Sequence, residues 1–173
     1  AVQWKGTHAA NVVNVYQGEV AVAGFAAEVA TVATLRVGYE DGQDSDAVVR
    51  MASGCTLTTI TQTGGALEIN SAATTITRHG GSLLVRGSGA ITTLTNNTGE
   101  VDYRSSGTVT TYVDGPGSTL RFTADNRTRT FTTTTILASA EIEDLGATVT
   151  WTNGIVVSRC KLADVRVDVG FNR

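Results

Sequence analysis

Two acidic residues, Glu68 and Asp102, come closest to a catalytic pattern in this sequence of 173 residues. Enzymes that cleave polysaccharides use two carboxylates, which lie about 5 Å apart in retaining enzymes and roughly 6.5 to 9.5 Å apart in inverting enzymes. Glu68 and Asp102 hold equivalent positions in a repeated pattern, but Leu84 holds that position in the copy between them. Copies stacked as β-strands would separate the two carboxylates by about 10 Å. The sequence therefore predicts no catalytic pair.

The other residues that carry chemistry form no recognisable motif. His8 and His79 are the two histidines, and no serine or cysteine is spaced to complete a catalytic triad with either. The sequence contains no nucleophile elbow, phosphate-binding loop, dinucleotide fingerprint or zinc-ligand spacing. His79 stands where other copies carry Thr63 and Thr98, so we expect it in a solvated turn. We predict a non-enzymatic protein without catalytic, cofactor-binding or metal-binding residues.

The acidic loop from Asp41 to Asp46 and the two cysteines are the remaining candidates. The loop concentrates carboxylate oxygens, which Ca²⁺ prefers, but it lacks the twelve-residue spacing and the closing glutamate of an EF-hand. We expect a solvated turn there. Cys55 and Cys160 are far apart and belong to no CxxC pair. We expect two unpaired, buried thiols in a protein assembled in a reducing cytoplasm.

Composition and charge exclude several classes of protein. With 13 basic and 16 acidic residues the formal net charge is −3, so there is no basic excess to bind a nucleic-acid backbone. No run reaches the roughly 18 apolar residues that a membrane-spanning helix needs. The 29 threonines, 21 valines, 19 glycines and single proline favour β-strands joined by glycine turns. We expect one soluble, all-β domain that binds neither nucleic acid nor membrane.

A repeat of 16 to 18 residues organises the chain from about Ser53 to Trp151. Its first anchor is a pair of threonines or a related pair between apolar residues, in Leu57-Thr58-Thr59-Ile60, Ala73-Thr74-Thr75-Ile76, Ile91-Thr92-Thr93-Leu94 and Val109-Thr110-Thr111-Tyr112, with a looser copy at Phe131-Thr132-Thr133-Thr134. Its second anchor is a glycine turn, at Gly64-Gly65, Gly80-Gly81, Gly99 and Gly115-Pro116-Gly117. Two features in one register indicate a true structural repeat.

The strand after each glycine turn carries apolar residues two positions apart, a period that buries one face. These residues are Leu67 and Ile69, Leu83 and Val85, Val101 and Tyr103, and Leu120 and Phe122. The threonine-rich strands would likewise stack Ile60, Ile76, Leu94 and Tyr112. Each copy buries too few side chains to be stable alone, so the copies must stack. Because residue identity repeats, we predict a parallel β-solenoid with 16-18-residue coils, and an antiparallel β-meander or sandwich is the alternative.

The repeat divides the single domain into three segments. Residues 1–52 are an N-terminal cap or attachment segment with the first strands, 53–151 form the solenoid, and 152–173 are a C-terminal capping strand. Residues 24–35 carry apolar side chains every three to four positions, which fits a helix or an irregular first coil. Residues 161–169 alternate strictly and predict a half-exposed strand. The non-repeating segments would cover the unpaired edges of the solenoid or contact a neighbouring subunit.

Four phrases show the style of the repeat, in which threonines alternate with small and apolar residues. They are Val32-Ala33-Thr34-Leu35-Arg36-Val37-Gly38-Tyr39, Ser71-Ala72-Ala73-Thr74-Thr75-Ile76-Thr77, Gly87-Ser88-Gly89-Ala90-Ile91-Thr92-Thr93-Leu94 and Thr148-Val149-Thr150-Trp151-Thr152-Asn153-Gly154-Ile155. In this style, about residues 30 to 155 resemble a group of β-solenoid virion proteins of tailed bacteriophages. The resemblance implies a structural component of a phage particle and carries over no catalytic residue.

Within that class, the short chain favours a capsid decoration or cement protein that stabilises the shell from the capsid exterior. Its expected partners are the major capsid protein and two further copies of itself, because a homotrimer would cover flat faces and fit the three-fold positions of a shell. The expected contact residues are Trp4, Tyr16, Val165, Val167 and Val169. Two alternatives stay open: a carbohydrate-binding or carbohydrate-cleaving module of a tail fibre or tailspike, and a fragment of a bacterial surface adhesin.

Overall fold

The computed structural model describes residues 2–23, 28–41, 45–122, 127–144 and 148–169. These residues form eighteen β-strands and one short 3₁₀ turn, Leu162–Asp164. The strands in chain order are β1 Val2–Trp4, β2 Val12–Val15, β3 Glu19–Val22, β4 Ala30–Val37, β5 Val48–Met51, β6 Cys55–Gln62, β7 Ala66–Ile69, β8 Ala72–Arg78, β9 Ser82–Val85, β10 Ile91–Asn96, β11 Gly99–Tyr103, β12 Val109–Asp114, β13 Ser118–Phe122, β14 Arg129–Ile136, β15 Ala140–Asp144, β16 Val149–Trp151, β17 Ile155–Val157 and β18 Val165–Val169.

The strands form two sheets around one core. Sheet I has the order β1-β3-β5-β7-β9-β11-β13-β15-β18, and sheet II has the order β16-β14-β12-β10-β8-β6-β4-β2, with β17 also pairing β14. Every strand pairing of the described residues is parallel, so the chain crosses from one sheet to the other and returns in each coil. The fold is a parallel β-solenoid of about seven turns, as predicted, and the antiparallel alternative is wrong.

The register of the coils agrees with the predicted stacking. Ile60, Ile76, Leu94 and Tyr112 are successive partners in sheet II, and all four side chains are fully buried. The two central steps, from Ile60 to Ile76 and from Ile76 to Leu94, have the predicted coil lengths. In-register stacking places like on like because each buried side chain rests on the equivalent side chain of the next coil.

Each long strand of sheet II bends near its middle. The pairing skips one residue in each strand, namely Thr58, Thr74, Thr92 and Thr110. An extra residue on a strand is a β-bulge, which bends the strand locally. In the last coil the bend becomes a break, because β16 and β17 are separate strands that both pair with β14. The threonine pairs of the repeat therefore mark stacked corners.

The core changes from aliphatic to aromatic along the solenoid axis. The C-terminal half contains a cluster in which Phe131 contacts Tyr103 and Trp151, each with 5.2 Å between ring centroids. Phe122 adds an edge contact to Phe131 at 5.4 Å. Aromatic pairs at such distances add about 0.5–1.5 kcal/mol each beyond their buried area. Longer coils accompany these rings, since Val109 pairs with Phe131 in the neighbouring coil.

Two predictions for the flanking segments need correction. Residues 30–37 form strand β4, so the helical alternative for residues 24–35 is wrong there, and residues 24–27 lie outside the described residues. β4 pairs on both sides, with β2 and β6, and this pairing outweighs a local helical period. At the other end only Val165–Val169 is a strand, because Leu162–Asp164 turns as a 3₁₀ helix.

Candidate functional site

The outward positions of sheet I form a column of mostly charged side chains, which we call the charged column. Its members, in coil order, are Arg50, Glu68, Leu84, Asp102, Arg121, Glu143 and Asp168. The predicted separation is confirmed, since Leu84 pairs with both Glu68 and Asp102 and keeps the two acids two coils apart. The two carboxylates therefore do not face each other across one sugar ring.

Each acid of the charged column pairs with an arginine. Glu68 lies 2.9 Å from Arg86 and 3.9 Å from Arg50, and Asp102 lies 2.5 Å from Arg104. Arg121 bridges two acids, at 2.9 Å from Glu100 and 2.5 Å from Glu143. Such partly exposed pairs contribute about 0 to 1 kcal/mol each. Their main effect is to neutralise this face locally.

A second column, which the sequence analysis missed, lies inside the solenoid. We call it the polar ladder, and its members are Gln62, Arg78, Asn96 and Asp114. All four are fully buried, between Val37 at one end and Ile136 at the other. A buried column of this kind is costly unless its hydrogen bonds are complete.

The polar ladder satisfies the backbone of the glycine turns. Gln62 Nε2 donates to the Gly65 carbonyl at 3.1 Å, Arg78 Nη2 donates to the Gly81 carbonyl at 2.5 Å, and Asn96 Nδ2 donates to the Gly99 carbonyl at 3.2 Å. In each case the acceptor glycine lies three residues after the ladder residue and has a positive φ. A Cβ at Gly81 would lie 2.3 Å from the Gly65 carbonyl oxygen, so stacked turns require glycine there.

Hydrogen bonds also run from coil to coil along the polar ladder. Arg78 Nε donates to Gln62 Oε1 at 3.1 Å, and Arg78 Nη1 donates to Asn96 Oδ1 at 2.6 Å. Asn96 Nδ2 then lies 3.4 Å from Asp114 Oδ1, which also accepts the Tyr112 hydroxyl at 2.8 Å. The buried cation and the buried anion are thus joined through one amide rather than in direct contact.

Burial dominates the electrostatics of the polar ladder. It raises the pKa of Asp114 to about 6, against the opposing hydrogen bonds and the charge of Arg78. Burial also lowers the pKa of Arg78 to about 10 and raises that of Tyr112 well above its usual range. Asp114 Oδ2 has no hydrogen-bond partner. The ladder is closed to solvent, so its chemistry is structural and pH-dependent.

A sequence signal for the polar ladder exists. Each member follows the buried residue of the threonine-rich strand by two positions and precedes a turn glycine by three, as in Ile60, Gln62 and Gly65. Alternation alone therefore places these polar side chains inward.

The five predicted contact residues lie at the two ends of the solenoid. Trp4 is half-buried and packs against the core, while Tyr16 is 42% exposed and stacks on Tyr39 with 5.3 Å between ring centroids. Val165 is half-buried against the core, and Val167 is 40% exposed. Val169 ends strand β18, and its side chain lies outside the described residues. The structure brings Val165 and Val167 together on one strand and leaves Trp4 and Tyr16 at the opposite end.

The large exposed apolar side chains of the described residues all lie outside residues 53–151. They are Val2, Val12, Tyr16, Val29, Val156, Leu162 and Val167. Val2 and Val167 are the first and last members of a single inward column of sheet I, whose middle members are buried. The hydrophobic core of the described chain is therefore open to solvent at both ends.

The minor candidates have simpler placements. His79 lies exposed in a turn as expected, with its Nδ1 3.3 Å from Asn97 Nδ2. Cys55 is buried and unpaired, and burial raises its pKa. The prediction that Cys160 is buried is wrong, because this free thiol is half-buried in the last coil, where no further described coil covers it. Part of the acidic loop, residues 42–44, lies outside the described residues.

Two searches of the described residues gave no site. In the ranges that the structure describes, no group of three or more histidine, cysteine, aspartate or glutamate side chains is arranged to hold a metal ion. No helix in those same ranges has the length and apolar character needed to cross a membrane.

In comparisons with known proteins, no family model, no curated protein and no solved structure matches this chain. Its functional interpretation therefore depends on the geometry described above.

Proposed function

We propose that this protein is a non-enzymatic structural protein of a bacteriophage particle, and specifically a capsid decoration or cement protein. In this proposal a homotrimer binds the major capsid protein on the outside of the shell after assembly in the host cytoplasm. It requires no cofactor and contacts neither nucleic acid nor membrane. The similarity of its repeat style to β-solenoid virion proteins supports the choice of particle.

The observation that carries the proposal is the segregation of exposed apolar side chains to the two ends. Val2 is 64% exposed, Val12 is 54% exposed and Leu162 is 76% exposed, whereas the repeat presents threonines and paired charges. Burying a valine or leucine side chain fully contributes about 1.5–3 kcal/mol. Contacts made by the ends are therefore the main unused source of binding free energy in the described chain.

Strand pairing points to the same ends. Among the described strands, β1 and β18 each pair on one side only in sheet I. Unpaired strand edges attract other strands unless they are covered. A closed trimer on a shell would cover an end of each subunit while leaving the flat faces of the repeat outward.

The decisive experiment is sedimentation of gradient-purified phage particles made in cells that produce the protein. We expect the protein to sediment with the particles at a fixed ratio to the major capsid protein, and the free protein to have a trimeric mass. Deleting residues 1–10, or introducing Val2→Asp, should remove the protein from particles while leaving a folded β protein by circular dichroism.

A matched control separates the ends from the charged column. The double variant Glu68→Ala, Asp102→Ala changes the middle of the solenoid and should bind particles like the wild type. Full occupancy of particles by the deletion variant, or a monomeric mass free and bound, would contradict the proposal. Polysaccharide cleavage by the wild type that the double variant loses would favour the tailspike alternative.

A further inference from the structure

The outer surface of sheet II carries a regular two-dimensional set of threonines, which we call the threonine array. It consists of ten outward positions on five consecutive coils, Thr59, Thr61, Thr75, Thr77, Thr93, Thr95, Thr111, Val113, Thr133 and Thr135. Nine of the ten are threonine, and all ten alternate with buried residues of the same strands. The array therefore repeats one motif, a threonine, a buried residue and a second threonine, on successive coils.

Backbone geometry fixes the spacing of the threonine array. Parallel strands lie about 4.8 Å apart, and side chains two residues apart on one strand are about 6.7 Å apart. Strands β8, β10 and β12 are paired on both sides, so the central coils cannot slide relative to one another. β-branched side chains also have few χ1 rotamers, which holds the hydroxyl and methyl groups in repeated orientations.

The chemistry of the threonine array differs from that of the charged column. None of its ten positions carries a charge or an aromatic ring. One hydroxyl is engaged at the far end, where Asn153 Nδ2 donates to Thr133 Oγ1 at 3.2 Å. The remaining surface offers hydroxyl groups that both donate and accept hydrogen bonds, beside methyl groups that do neither.

We propose that the threonine array binds ice. A surface that repeats in two dimensions is complementary to a ligand with the same two-dimensional repeat, and a crystal face has one whereas the surface of a globular protein does not. Among crystals, ice matches an uncharged surface of hydroxyl and methyl groups, and the oxygen atoms of ice repeat at intervals close to those of the array. Crystalline polysaccharides fit less well, because the array offers no aromatic ring to stack on a sugar.

The test measures the gap between melting and freezing temperatures of a seed crystal, together with inhibition of ice recrystallisation. We expect the wild type to shape ice crystals and to open a temperature gap. Thr93→Lys, at the centre of the threonine array, should reduce the gap by about tenfold or more, because one protruding side chain prevents the other coils from engaging together.

The matched control is Thr119→Lys, which makes the same change on the outer face of sheet I at a half-buried position. It should retain the wild-type gap to within about twofold, since simultaneous engagement of the array is undisturbed. Val113→Thr completes the array and should widen the gap. Melting curves by circular dichroism confirm that all variants are folded.

Three outcomes would overturn the proposal. They are no effect of the wild type on ice, an equal loss in Thr93→Lys and Thr119→Lys, or binding of the wild type to crystalline cellulose or chitin with no effect on ice. Because none of these measurements involves phage particles, failure here leaves the proposed capsid role unaffected, and failure of that role leaves this one unaffected.

Discussion

The polar ladder and the charged column are built by the same four coils and behave in opposite ways. Within one coil, Gln62 points inward and Glu68 points outward six residues later, and the next coil repeats this spacing with Arg78 and Leu84. Inside, each polar group needs a partner from the protein. Outside, water can replace any partner, and even an apolar residue is tolerated in the column.

The difference shows what stacking demands of a polar side chain. The carbonyls of the glycine turns point into the core and have no water to bind, so the polar ladder must supply donors. Arginine is suited to this task because its five N–H groups reach one coil up, one coil down and the turn itself. On the charged column the same residue type forms only weak surface pairs.

The largest expected effect comes from placing a charge among the buried apolar residues. Leu94→Asp buries an unpaired carboxylate beside Ile76 and should lower the free energy of unfolding by about 5 kcal/mol or more. The neighbouring variant Thr95→Asp points outward and should change it by less than about 1 kcal/mol. Urea unfolding followed by circular dichroism measures both. Equal stability of the two variants would refute the assigned register.

The next effect comes from breaking the polar ladder at its cation. Arg78→Met leaves Gln62, Asn96 and the Gly81 carbonyl without their donor, and should cost about 3–5 kcal/mol. The control is Arg86→Met, which removes an outward arginine that is 46% exposed and pairs with Glu68. It should cost less than about 1 kcal/mol. Similar costs for both arginines would show that the interior and the exterior are not different in this respect.

A smaller effect is predicted for pH. Because the folded pKa of Asp114 is about 6 and its ordinary value is 3.8, the folded state binds the proton more tightly than the unfolded state. Stability from this group therefore rises as pH falls from above 6 toward 4, and is lost as pH rises through 6. Between pH 7.5 and pH 4.5 the gain is about 2 kcal/mol.

Asp114→Asn isolates this contribution from other titrating groups. The charged and titratable groups nearest to Asp114 are Tyr112 on the same strand, Arg78 through Asn96, and Glu100, which interacts with Arg78. We expect the difference in stability between wild type and variant to change by about 2 kcal/mol over that pH range. A difference that is independent of pH would show that Asp114 does not titrate in the folded protein.

The smallest effect belongs to the charged column. The double variant Glu68→Ala, Asp102→Ala should lower the free energy of unfolding by less than about 1 kcal/mol per residue, and the change should shrink further in high salt. Thermal melting at low and high ionic strength measures it. A loss comparable to that of Arg78→Met would mean that the outer pairs stabilise the solenoid as strongly as the interior ones.

The repeat was predictable because stacking leaves a local record in the chain. Alternation in Leu67 and Ile69, and the threonine pairs followed by Ile60 or Ile76, indicated the coil, its length and the inward columns before any contact was known. The same alternation also indicates the polar ladder, which a search restricted to apolar residues overlooks. The ends were harder to predict, since β4 is a strand through its pairing with β2 and β6 and not through its own period.

By itself, the sequence determined the parallel coil and its register, because identical residues at a constant interval are stabilised only when each lies on its equivalent in the next coil. Tertiary structure alone decided which polar residues depend on each other. Arg78 and Asn96 are 18 residues apart in the chain, yet 2.6 Å separates their hydrogen-bonded atoms. It also decided that ten separate positions form one surface in the threonine array, because the distance between coils is set by hydrogen bonds between strands and not by any local sequence.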